Sequence, residues 1–299
     1  MKFALAVCVA LLSTACVTGG PQKCACRVMG AGMSLEEAQG IVDEFESKHL
    51  QLDPTNPLRD PKSLEDVLEI LRSDELDLFP AGVAFASKQD STEAKALAAQ
   101  TELAWGEAEL MLSDLFAQVA ASLEEEIRSY ELAGFKADEL RDRLDTNGDV
   151  AEALALLAAE HSASGARHAR EIIAAAPTNY QGYRVAADYY RLRERWEEFD
   201  TTIAKIELLK PDSNGLLFLR GVAALYREGD GPKADRFLRA ALARDPKFVR
   251  AQAQLVRSQR GISAKRTEYL KLKALNPHHQ IVVWAGPALE RAYAARQAQ

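Results

Sequence analysis

The side chains able to do chemistry are few in this sequence and widely spaced. Of the five histidines, His49, His161, His168, His278 and His279, none belongs to a His-Glu-x-x-His pair or stands at a metal-ligand spacing from a cysteine. His161 and His168 flank Gly165 and are expected on different helices of one hairpin, as surface or loop residues rather than ligands. Asp145-Thr146-Asn147-Gly148-Asp149 holds part of a calcium-loop pattern. With Gly148 at the sharp-turn position, however, Arg143 stands where the first acidic ligand belongs and Leu154 where the bidentate Glu belongs. Asn147-Gly148 is therefore expected to be a turn between two helices, since both residues tolerate positive φ. Glu124-Glu125-Glu126 would radiate around a helix as solvated charge, not as a paired acid and base. No Gly-x-Ser-x-Gly, phosphate-binding glycine loop or dinucleotide fingerprint occurs. The expectation is a non-enzyme with no metal and no cofactor.

The elements that must carry these residues belong to an ordinary globular chain. It has 299 residues, 47% hydrophobic and 27% charged, with only 4 Cys, which excludes collagen, low-complexity disorder and a disulfide scaffold. Charge is uneven along it: residues 1–150 hold 13 Lys and Arg against 28 Asp and Glu, whereas residues 151–299 hold 24 against 16. The front is acidic and the back basic, so the two halves need not meet the same partner.

Met1-Lys2 is a short cationic start, and Phe3 to Leu12 is an apolar run too short for a bilayer, which takes roughly 20 residues. Small residues follow, as a signal-peptide cleavage site requires. Leu12-Ser13-Thr14-Ala15-Cys16 resembles a bacterial lipobox, with Leu12 one place further from the Cys than the family pattern has it. The resemblance implies a signal peptide over 1–15 and acyl chains on Cys16. Because Val17 follows in place of Asp, it also implies an outer-membrane lipoprotein, for which a periplasm-facing orientation is expected and a surface-facing one stays open. Several acyl chains anchor stably, each buried CH₂ contributing about 0.8 kcal/mol. A plain secreted protein cut near Ala15 is the alternative. Residues 16–33 read as a flexible tether in which Cys24 and Cys26 have too few neighbouring ligands for a metal and too short a spacing for an unstrained disulfide.

From Ser34 the pattern is helical. Ser34-Leu35-Glu36-Glu37 reads as a capping box, and Leu35, Ala38, Ile41, Val42 and Phe45 share the face that follows it. Ser63 opens a second helix with Leu64, Val67, Leu68 and Leu71 inward, and an unbroken apolar recurrence predicts one long helix over 91–132. In the back half Pro177, Pro211, Pro246 and Pro277 are spaced by 34, 35 and 31 residues, each closing a helical phrase. Asn214 to Phe248 carries Gly221 in a first helix, Gly229-Asp230 at a turn, Ala234 and Ala241 in a second helix, and Pro246 at its end. Together these resemble tetratricopeptide repeats, in which small residues let two helices cross closely and Pro ends the second.

The resemblance implies an all-α chain of helical hairpin repeats over 146–280 forming a right-handed superhelix. A helical N-terminal region over 34–145 with one long helix would precede the repeats, and a capping helix over 281–299 would follow. It also implies a concave wall lined by the first helix of each repeat, carrying Arg184 and Arg191, then Phe218 and Tyr226, then Arg250 and Arg257. Arg forks bind carboxylates bidentately, so the expected partner is an acidic or C-terminal segment of another envelope protein, not nucleic acid. A groove lined this way would make the chain an interaction scaffold at the membrane. Equally open is that these arginines form a solvated rim or pair with the chain's own acidic front half. A transporter-accessory or small-molecule binder and an envelope enzyme are the alternatives from other classes.

Overall fold

A computed structural model describes residues 33–49, 55–133 and 135–297. The expected signal peptide, Cys16, and the tether with Cys24 and Cys26 as far as residue 32 lie outside the described residues. Everything regular among the described residues is helical. Those residues form twelve α-helices and no strand, and none of these helices is long and apolar enough to cross a membrane.

Local chemistry starts the helices where the sequence places them. Helix α1 (Leu35–His49) opens on a reciprocal cap: Glu37 N–H donates to Ser34 Oγ, and Ser34 N–H donates to Glu37 Oε2 at 2.7 Å. Helix α2 (Leu64–Ser73) repeats the device with Ser63 and Asp66. Helix α3 (Phe79–Ala86) follows, and Ser91 then caps α4 (Thr92–Leu132), the long helix expected over 91–132. Helix α5 runs from Asp138 to Ala175.

Helix α5 corrects two expectations. Residues 145–149 form no turn between helices, because α5 runs unbroken across them. Thr146 Oγ1 donates to Asp142 O and Asn147 Nδ2 donates to Arg143 O, so these residues bond backwards along the helix instead of bending it. Val150, Ala153, Leu154, Leu157 and Ala158 keep the buried stripe in helical register, and burying that stripe outweighs the turn preference of Asn-Gly. His161 and His168, expected on two helices, both lie on α5.

The chain divides into two compact units, each using a part of α4 and of α5. One contains α1 and residues 106–160. Its core includes Val42, Phe45, Leu112, Leu123, Leu154 and Leu157, with Phe45 edge-on to Phe116 at 5.0 Å. Ser113 Oγ donates to the Ala151 carbonyl at 2.6 Å, tying α4 to α5 inside this unit.

The other unit comprises residues 54–105 and 161–297. After α5 come three consecutive hairpins: α6 (Tyr180–Leu192) with α7 (Trp196–Leu209), α8 (Asn214–Tyr226) with α9 (Gly231–Arg244), and α10 (Val249–Ser258) with α11 (Ile262–Leu275). A π-helical turn, Ile281–Ala285, leads into α12 (Gly286–Gln297). The first helices α6, α8 and α10 adjoin one another in order. Pro177 and Pro211 each stand two residues before a polar N-cap: Asn179 caps α6 and Ser213 caps α8. The prolines at 177, 211, 246 and 277 each stand just past the end of a helix, and after the first two a polar side chain caps the next one. Gly221 has the close-approach role expected of it, since a Cβ there would come within 2.8 Å of Leu238 on α9. Gly229, at φ +66°, makes the turn between α8 and α9. Gly165 also marks a close approach, but to Leu103 and the Ala99 carbonyl of α4 rather than to a hairpin partner.

Candidate functional site

Side chains on α6 and α10 meet at one buried cluster. Asp188 Oδ1 on α6 accepts from both Arg191 Nη2 at 2.7 Å and Arg191 Nε at 2.9 Å, so two N–H groups of one guanidinium converge on a single carboxylate oxygen. Its other oxygen accepts from Arg250 Nη2 of α10 at 3.3 Å. Burial acts to raise the Asp188 carboxyl, but Arg191 and then Arg250 outweigh it and hold the group below the ordinary carboxylate range. Arg250 also faces Asp74 at 3.9 Å and lies over the Phe218 ring at 5.1 Å.

Asp74 enters from the C-terminal end of α2, in the left-handed region at φ 56°. Its Oδ2 faces His279 Nε2 at 3.1 Å, and the imidazole is fully buried. His279 Nδ1 accepts the backbone N–H of Ile281 at 3.1 Å, which places the ring proton on Nε2, where it is donated to Asp74. Asn276 Nδ2 donates to the Ser73 carbonyl beside it. The turn after α11 thus clasps the end of α2 through Asn276 and His279, which lie 203 and 205 residues beyond their partners, with Arg250 on the same carboxylate.

Arg184 differs from the other two arginines. It is half-buried, its hydrogen-bond partner is the neutral amide of Gln100 on α4, and no carboxylate lies at ion-pair distance from it among the described residues. Burial first, and then the neighbouring Arg250 cation, lower its pKa. Its chain crosses α8 at Gly215, where a Cβ would meet Arg184 Cδ at 2.5 Å. Between α8 and α10 Tyr226 donates to Gln254 Oε1 at 2.8 Å, and Arg257 lies over the Tyr226 ring at 5.4 Å.

The six residues expected to line the groove therefore divide into two sets. Arg191, Phe218 and Arg250 are buried, with the two arginines in ion pairs within the chain, so this part is a closed core and not an open wall. The reason is electrostatic: a buried guanidinium needs a carboxylate, and Asp188 and Asp74 supply it. Arg184, Tyr226 and Arg257 are half-buried at its edge. Asp74, His279, Gln100 and Asn276 carried no sequence signal, because each meets its partner only through the fold.

A second polar constellation lies between α4 and α5 within the same unit. Glu102, nearly buried, accepts from Ser164 Oγ at 2.9 Å and faces His168 Nδ1 at 3.1 Å. His168 helps to line a cavity of about 280 Å³. One α5 turn before Ser164, and two before His168, His161 stacks on Trp105 at 3.8 Å between ring centroids and 22° between planes. Among the described residues no group of three or more His, Cys, Asp or Glu side chains is placed to hold a metal ion.

The fold and these two clusters define an all-helical protein with consecutive hairpins and a buried arginine–carboxylate core. The chain matches no protein-family model, and it matches no curated protein.

Proposed function

We propose that this chain is an interaction scaffold of the bacterial cell envelope, tethered through lipid on Cys16. In this reading its tetratricopeptide-like hairpins hold an acidic segment of a partner protein along the edge of the face formed by α6, α8 and α10. The observation that carries it is the contrast among the arginines. Arg191 and Arg250 bind carboxylates of the chain itself, whereas Arg184, on the same face and half-buried, bonds the neutral amide of Gln100 and pairs with no carboxylate among the described residues. A guanidinium so placed favours an incoming carboxylate, because Arg250 nearby adds to the positive potential and burial thins the screening water. Tyr226 and Arg257 supply an aromatic face and a second fork for an extended peptide.

A photo-crosslinking residue in place of Tyr226, in the full chain expressed in bacterial cells, tests the reading. The expected result is a discrete crosslinked partner that disappears when Arg184→Gln and Arg257→Glu are combined, with the thermal transition of the purified variant retained. Persistence of the same crosslink in that folded variant would overturn the groove. Separately, Cys16→Ala is expected to release the protein from the membrane fraction, and a variant that stays there would overturn the lipid anchor.

A further inference from the structure

The cavity beside His168 has a composition that a merely structural pocket does not need. Residues three apart on two helices face it: Thr92 and Lys95 on the first turn of α4, His168 and Glu171 near the end of α5. Such spacing puts each pair on one helix face. The floor is apolar and buried, made by Ala98 and Ile172. Lys95 and Glu171 therefore bring opposite charges to one small cavity. Yet neither is in an ion pair with the other or with any other of the described residues.

His168 is held for use. Its Nδ1 faces the Glu102 carboxylate, which Ser164 also holds, so the ring's proton sits on that side and its orientation is fixed. Nε2 has no partner among the described residues. With the ring proton on Nδ1, it offers a lone pair to a donor in the cavity.

From this arrangement we propose a binding site for a small zwitterion of the α-amino-acid class, independent of the groove reading. The ligand carboxylate lies against Lys95 and Thr92 on α4, its ammonium against Glu171 and the His168 Nε2 lone pair on α5, and a small apolar side chain against Ala98 and Ile172. A plain anion would meet Glu171 and a plain amine would meet Lys95, so each half of such a ligand is opposed where the whole is complemented. The volume of about 280 Å³ is near the lower end of small-molecule sites and fits a molecule of this size.

Isothermal titration of the full chain with valine tests the site, with isovalerate (no amine) and isobutylamine (no carboxylate) as half-ligands. Valine is expected to bind saturably, each half at least about tenfold more weakly, and Lys95→Gln and Glu171→Gln each to weaken valine by about tenfold or more. All four charged and polar positions are exposed or half-exposed, so these variants are expected to keep the wild-type thermal transition. A Glu102→Gln variant is the positioning test. It is expected to weaken valine while leaving the dependence on Lys95 and Glu171 intact, a pattern that simple loss of a structural hydrogen bond would not produce. Valine showing no saturable heat up to about 50 mM would overturn the proposal. So would isovalerate binding as tightly as valine, or valine binding unchanged in Glu171→Gln. None of these outcomes bears on the Arg184 edge, whose test reads a protein crosslink.

Discussion

Two imidazole–carboxylate pairs in this protein have the same length and opposite surroundings. His279 meets Asp74 at 3.1 Å, and His168 meets Glu102 at 3.1 Å. In the first, the remaining ring nitrogen accepts a backbone N–H from Ile281 and the ring is sealed. In the second, the remaining nitrogen has no partner among the described residues and the ring borders a cavity. The carboxylate does the same work in both cases, fixing a tautomer and an orientation. What separates a clasp from a site is where the second nitrogen goes.

The largest expected effect follows from the sealed pair. His279→Ala removes a buried donor from a charged acceptor and leaves a ring-sized void, at an expected cost of about 3 kcal/mol. Urea unfolding followed by far-UV circular dichroism measures it. His168→Ala removes a half-exposed ring and is expected to cost under about 1 kcal/mol. Equal costs for the two would erase the distinction between clasp and site.

The cluster behind the clasp also has a pH signature. The Asp188 carboxyl is held below its ordinary range, so it releases its proton more readily in the folded chain than in the unfolded one. Its contribution is therefore fully present above the unfolded value, about 3.9, and is lost as pH falls through the lower, folded value. Unfolding free energy measured by urea titration is expected to fall as pH is lowered from about 5 to 3. Asp188→Glu, which keeps the charge but displaces it, is expected to lower stability at neutral pH and to make this acid limb shallower. A limb of unchanged slope in that variant would assign it to other carboxylates.

An intermediate effect is expected at Gly215. A methyl group there would overlap Arg184, whose chain must move off α8 and away from Gln100. Overpacking of this kind costs about 1–2 kcal/mol. The displaced side chain is the flexible one, so Gly215→Ala is expected to fold and to lose the crosslink at Tyr226, if Arg184 is the fork the partner uses. Thermal unfolding and crosslink yield, read together, separate a packing defect from a change at the groove edge.

The hairpins were legible because their determinants are local and repeated. Ser34 and Ser63 announce caps, the proline period marks the same inter-helix turn, and Gly221 signals a close crossing wherever its partner lies. Asn147-Gly148 misleads because turn preference is also local, and it loses to a buried stripe that extends through Leu157. Gly165 shows the limit most directly: a small residue tells that something comes close, but not that the neighbour is α4. The site residues follow the same rule. Arg184, Arg191 and Arg250 could be placed on one face by their repeat positions, whereas Asp74 and His279, some two hundred residues apart, meet only after the whole unit has folded. That encounter turned half of an expected open groove into a core.

The smallest expected effect is the one that bears most directly on the open pair. Glu102→Gln keeps the size of the side chain, and the amide oxygen still accepts from Ser164. What is lost is the charge facing His168 Nδ1, so the ring is no longer biased toward carrying its proton on that side. Because His168 is partly exposed and its other nitrogen is unengaged among the described residues, stability is expected to change by no more than about 0.5 kcal/mol. The imidazole itself is expected to change more. Its ¹⁵N chemical shifts should move from those of an Nδ1-protonated ring toward a mixture of tautomers, while those of His279 stay fixed. If both rings shift, or neither does, then the two carboxylates do not hold their histidines independently. The second nitrogen would then no longer be what distinguishes the two pairs.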